Sequence, residues 1–182
     1  MAVALLAAAM LVARQAAAQG GLTQQEALRL AFPEPAVVER RTAFLNPAQV
    51  ARVRILAGEE AGEPPSVVTY YLARQEDRII GVAYFDSHRV RTLPEVLMFV
   101  VGPEGTIRRA EVVQFSEPPE YRPLPAWLAQ LLGRPLAPEF SLKGNLRAMT
   151  GATLTSRAAV QAGRRTLALH AVIQPFTAGA GE

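Results

Sequence analysis

Seven residues near the C-terminal end, Thr150-Gly151-Ala152-Thr153-Leu154-Thr155-Ser156, hold the residue types in this chain best suited to chemistry. Hydroxyl side chains lie there among small residues, just before an apolar segment of helical periodicity. Gly151 and Ala152 permit a tight turn and a close approach of the backbone to a ligand. Thr155 or Ser156 suits the N-cap of a helix starting there. The first turn of such a helix leaves amide donors unpaired, and its dipole favours an anion. These parts make a phosphate site that needs no lysine. Thr153 adds a neutral hydroxyl in the middle of it. That hydroxyl can bond to a phosphate, or become esterified to one if another enzyme supplies the activation. Helix capping alone also accounts for these residue types.

Little else in the chain is conventional catalytic equipment, and no catalytic or metal-binding residue is assigned. There is no cysteine, which excludes thiolate metal sites, disulfides and cysteine-ligated iron–sulfur clusters. The two histidines, His88 and His170, stand far apart and in no ligand-spaced motif. No Gly-x-Gly-x-x-Gly dinucleotide fingerprint and no Gly-x-Ser-x-Gly elbow occurs.

The elements that must position the motif read as one α+β domain, an antiparallel sheet with flanking helices. Leu22 to Leu30 is expected as a helix, with Thr23 and Glu26 at capping-box spacing. Asn46-Pro47 starts a second helix, with Val50, Val53 and Ile55-Leu56 as its apolar positions. Residues 19–65 are thus expected as an N-terminal helical segment. From Ser66 the period changes. Val67 to Ala73 and Arg78 to Phe85 form a hairpin about Gln75-Glu76-Asp77, Glu95 to Val101 is a central strand, and Ile107 to Phe115 follows the turn at Pro103-Glu104-Gly105. Ala126 to Leu132, with Trp127, is a short helix. Thr155 to Ile173 is the last long one, with Val160, Leu167, Leu169 and Val172 as packing residues.

The order Thr-Gly-Ala-Thr-Leu-Thr-Ser resembles the flavin-attachment motif, Ser/Thr-Gly-Ala-Thr-x-Thr/Ser, of the FMN-binding domain family. That family includes flavoprotein subunits of the Rnf and sodium-pumping NADH:quinone oxidoreductase complexes. The resemblance covers roughly Arg78 to Ile173 and implies an FMN-binding domain over residues 66–176. It implies FMN joined through its phosphate to Thr153, with Thr150, Gly151, Ala152, Leu154, Thr155 and Ser156 around it. A separate flavin transferase using FAD as donor would make the bond. Redox partner proteins associated with a membrane would exchange the electrons. Family members also carry a Glu-Thr-Pro-type segment near the flavin. Phe115-Ser116-Glu117-Pro118-Pro119 stands at a similar place, and Arg91-Thr92-Leu93-Pro94-Glu95 can form a second wall. Glu117, Thr92 and Leu93 are therefore expected at the cofactor. The chain departs from the family at Arg147, where the transferase usually reads an Asp. A phosphoester at Thr153 and a flavin held by hydrogen bonds both stay open, as does a flavin-free interaction module of the cell envelope. A flavoenzyme acting on a soluble substrate is a further alternative.

The chain has 182 residues and a net charge of +3, with Lys143 its sole lysine. Its arginines are dispersed and form no basic block, so a nucleic-acid surface is not expected. At the N-terminus, the apolar run from Ala2 to Ala13 and the small residues Ala16-Ala17-Ala18 resemble an export signal, residues 1–18, either cleaved or kept as an anchor. The run is short of the roughly twenty apolar residues a span needs. An extracytoplasmic location follows from this reading, with residues 177–182 as a polar tail.

Overall fold

The computed structural model describes residues 21–176, so the export signal of residues 1–18 and the tail at 177–182 lie outside the described residues. Helix α1 spans Gln24–Ala31 and carries the expected capping box: Thr23 Oγ1 accepts from the Glu26 amide, and Glu26 accepts from the Thr23 amide. Helix α2 spans Pro47–Ala57, capped by Asn46, whose Oδ1 accepts from the Gln49 amide at 2.9 Å. Val53, as expected, and Ala57 are buried, and the expected Val50 and Leu56 pack partly buried beside them; Ile55, expected with them, points outward and is 72 % exposed. Two residues from Val53 and two from Ala57, Ile55 falls on the opposite side of the same turn and so faces away from the core.

Five strands follow one another as an antiparallel meander, β1-β2-β3-β4-β5. They are β1 Val37–Phe44, β2 Val67–Gln75, β3 Arg78–Arg89, β4 Pro94–Val101 and β5 Ile107–Phe115. Strand β1 corrects the expectation of a purely helical N-terminal segment. It pairs along β2 from Val37–Arg74 to Phe44–Val67, so residues 37–44 of that segment join the same sheet as the later strands. It is an edge strand, and the charged run Glu39-Arg40-Arg41 in its middle suits an edge, where charge deters pairing with another molecule.

The sheet is covered on both faces. On one, Ala27 and Phe32 pack against Ala73, Ala83, Met98, Val100 and Val113. On the other, α2, the short helix α3 Pro125–Leu128 and the long helix α4 Thr153–Ile173 close over Leu72, Val82, Leu97, Phe99, Val101 and Ile107. This burial on two sides explains why β4 reads as an unbroken apolar run rather than an alternating one. Gly163 sits where α4 crosses closest to Phe140 and Ile107; a Cβ there would lie 3.0 Å from the Phe140 ring. No helix among the described residues is long and apolar enough to cross a membrane.

Candidate functional site

The loop that leads into α4 is pinned from outside the motif. Trp127 Nε1 donates to the Arg147 carbonyl at 2.6 Å, and the Arg147 amide donates to Gln130 Oε1 at 3.1 Å. The chain then turns through Met149 to Ala152, with the Ala152 amide bonded to the Met149 carbonyl at 3.1 Å. Gly151 has φ +79° and open space where a Cβ would stand. Its backbone angle, not crowding, requires glycine there.

Helix α4 begins at Thr153, two residues earlier than expected, and its N-cap is Ala152 without a side-chain capping bond. The expectation that Thr155 or Ser156 caps the helix is therefore corrected. Both lie inside the first turn and face the core, 1 % and 0 % exposed. Ser156 Oγ accepts from the Met149 amide at 2.8 Å and donates to the Ala152 carbonyl at 3.0 Å. One buried hydroxyl thus ties the turn to the helix. Ser156→Ala would leave the Met149 amide without that acceptor, a loss of about 1–2 kcal/mol. The expected outcome is a melting temperature lower by about 3–6 °C, measured by circular dichroism.

With no capping side chain, the first amides of α4 lack the usual side-chain acceptor. Thr150, Gly151 and Thr153 are exposed, Leu154 is half exposed, and Ala152 is buried. The Thr153 hydroxyl makes no hydrogen bond among the described residues. It stands on the rim of two concavities. A small one of about 190 Å³ is lined by Arg91, Tyr121 and residues 151–155. A larger groove of about 910 Å³ runs between α2, α4 and the loop at 138–148, and Thr153, Arg157, Lys143 and Arg164 line it together with Glu59 and Glu60. The groove is within the size range of cofactor sites.

Glu117 holds the backbone of the loop that carries Thr92 and Leu93. Its Oε1 accepts from the amides of Arg91, Thr92 and Leu93 at 3.1, 2.8 and 2.9 Å. The Leu93 and Thr92 amides hold its carboxyl below the usual carboxylate range. Thr92 and Leu93 are exposed, and it is Arg91 that reaches the small concavity. The Arg91 guanidinium lies 4.8 Å above the Tyr121 ring, a cation–π contact that fixes both residues beside the motif.

A second cluster escaped the sequence reading. His88 Nδ1 lies 2.9 Å from Asp86 Oδ1, and Nε2 lies 2.9 Å from Glu95 Oε2. Arg165 clamps Asp86 through Nε at 2.7 Å and Nη2 at 2.6 Å. Burial disfavours the charged imidazole, but hydrogen bonds to Asp86 and Glu95, and their charges, outweigh it and raise His88 to about 9. Burial pushes Glu95 upward. Asp86 stays below its usual range despite burial, because His88 and Arg165 donate to it. The available signal was Asp86-x-His88, since residues two apart share one face of a strand. Both ring nitrogens are engaged, and among the described residues no group of side chains is arranged to hold a metal ion. His170 is the opposite case. It is buried against Tyr84, with Nδ1 3.1 Å from the hydroxyl, and burial lowers it to about 4.

No protein-family model matches this chain, and no curated protein matches it significantly.

Proposed function

We propose that the corner at the start of α4 binds FMN and that the chain is an exported electron carrier serving membrane-associated redox partners. The observation that carries the reading is the exposed, unpartnered Thr153 hydroxyl at an uncapped helix mouth beside a groove of about 910 Å³. It is supported by the resemblance of residues 150–156 to the flavin-attachment motif. The residues present fit the group. First-turn amides and the helix dipole suit its phosphate, Arg157 and Lys143 add positive charge in the groove, and Leu154 offers an apolar surface in the small concavity on the other side of Thr153. Bound there, FMN supplies one- and two-electron redox chemistry, while the chain orients it and sets its electrostatics. Arginines beside it stabilise anionic reduced forms.

Attachment through Thr153 calls for a flavin transferase. Arg147 stands in place of the family's Asp, and a flavin retained by hydrogen bonds alone is the second form of this reading. The test is expression with and without a flavin transferase. With the transferase, the purified protein should be yellow and should keep a fluorescent band on denaturing electrophoresis. Release of all colour on precipitation selects the noncovalent form. A colourless protein under both conditions overturns the reading and leaves an interaction module.

A further inference from the structure

The His88 cluster lines a cavity on one side, and three residues further along the chain Arg91 faces the motif corner. Strands β2 and β3 pair only between Tyr70–Tyr84 and Gln75–Arg78, and β3 continues to Arg89 paired with β4 alone. The first residues of β2, Val67 to Thr69, pair only with β1. In the gap between these strands opens a cavity of about 540 Å³, and Asp86, His88 and Arg165 are part of its wall. Glu95 lies deeper. It is the cross-strand partner of His88 and is 0 % exposed.

Two segments leave the sheet at Glu95's end. The loop after β3 carries Arg91, three residues from His88 and so within about 10 Å of chain. The segment after Phe115, the partner of Glu95 on β5, carries Tyr121 and also Arg122, whose charge acts on Glu95. Arg91 and Tyr121 are the residues that face the motif. The charged groups around His88 are thus Asp86 on its own strand, Glu95 on β4, Arg165 on α4 and, beyond Glu95, Arg122.

Glu95 is in an unusual position. Its Oε2 meets His88, while Oε1 is buried without a partner. An ionised carboxylate with one bare oxygen in an apolar setting is costly, and a proton relieves it. With His88 and Arg165 charged and both carboxylates ionised, the cluster is neutral. With Glu95 protonated it carries one positive charge. A proton on Glu95 thus adds one positive charge to the cluster, a change that negative charge arriving nearby favours.

We infer that His88 and Glu95 form a proton-binding site coupled to the Thr153 corner, taking up a proton from cavity water when electrons reach the flavin. This rests on the FMN reading. The electrons come from an external redox partner protein. A hydronium ion from cavity water supplies the proton: one of its O–H bonds breaks, an O–H bond forms on the Glu95 carboxylate, water is left behind, and His88 keeps both N–H bonds. Oxidation returns the electrons to an acceptor and the proton to water. By reciprocity, added negative charge at the corner raises the proton affinity of the pair. At a separation on the order of 10–15 Å the shift is about one pH unit.

The test uses the full chain co-expressed with a flavin transferase. Its midpoint potential is measured by spectroelectrochemistry across pH 5–10, beside Glu95→Gln and His88→Gln. The expected result is a pH-dependent profile in the wild type whose break points move or vanish in both variants, with the visible flavin spectrum retained. The His88 ring, followed by NMR, should titrate about one pH unit higher after reduction; His170, at about 4, does not overlap it. A yellow protein with the same profile in all three forms, or with a His88 titration indifferent to reduction, overturns this inference alone. A colourless protein overturns it together with the FMN reading. Should His88→Gln fail to fold by circular dichroism, Glu95→Gln and the NMR titration decide.

Discussion

Thr153→Val should give a folded protein that loses its fluorescent band entirely on denaturing electrophoresis. The side chain is exposed at the first position of α4, and its hydroxyl bonds to nothing among the described residues. Valine keeps the shape and the branching, so stability should move by less than about 0.5 kcal/mol, the scale of surface substitutions. Only an ester oxygen is removed. The effect on covalent flavin is therefore all or none, while the melting temperature stays within about 2 °C. A band that persists places the bond on another hydroxyl. Within the motif Thr150 is the other exposed hydroxyl, because Thr155 and Ser156 face the core. Thr150→Val is then the comparison to make.

The second large effect is on stability as pH rises. His88 is raised from 6.5 to about 9. Between those values the folded protein holds a proton that the unfolded chain has released, so stability falls with increasing pH. The contribution is complete below pH 6.5 and gone above about 9. A shift of this size corresponds to about 3 kcal/mol. Urea denaturation at intervals over that window should show the wild type losing roughly that amount and His88→Gln remaining nearly flat. Parallel curves would show that the two carboxylates do not grip a charged ring. His170 carries the opposite sign. Lowered to about 4, it stays neutral when folded and charges when unfolded, so its contribution is lost as pH falls from 6.5 toward 4.

Local signals in the sequence carried most of the fold. Thr23 with Glu26, and Asn46 with Pro47, mark helix starts by chemistry that acts over three or four residues. Glu76-Asp77 and Pro103-Glu104-Gly105 mark turns, and Ile107–Phe115 is a strand with the bounds its apolar pattern indicates. What escaped depended on distant partners. Strand β1 has charge in its middle and gains its order from pairing with β2. The start of α4 moved because Ser156, a good cap by type, is held inward by Met149 and Ala152. The motif itself was legible, whereas the residue of the 91–93 loop that lines a concavity with it is Arg91 rather than Thr92 or Leu93. The role of Glu117 as a clamp on three amides was not legible, since it depends on where two strand ends come to rest. Nothing local to His88 announced Arg165 or Glu95, which register and helix packing bring to it.

Every strand pairs with its neighbour in sequence. A chain emerging from the ribosome can zip the sheet hairpin by hairpin, with little loop entropy lost at each step. Once Phe115 is out, the platform is complete, yet Leu97, Phe99 and Ile107 still await α4. The last-arriving segment is both the lid over that sticky surface and the bearer of Thr153. A nascent or clipped chain without it offers proteases an apolar target and offers a phosphate no seat. Quality control and cofactor loading would then respond to the same event.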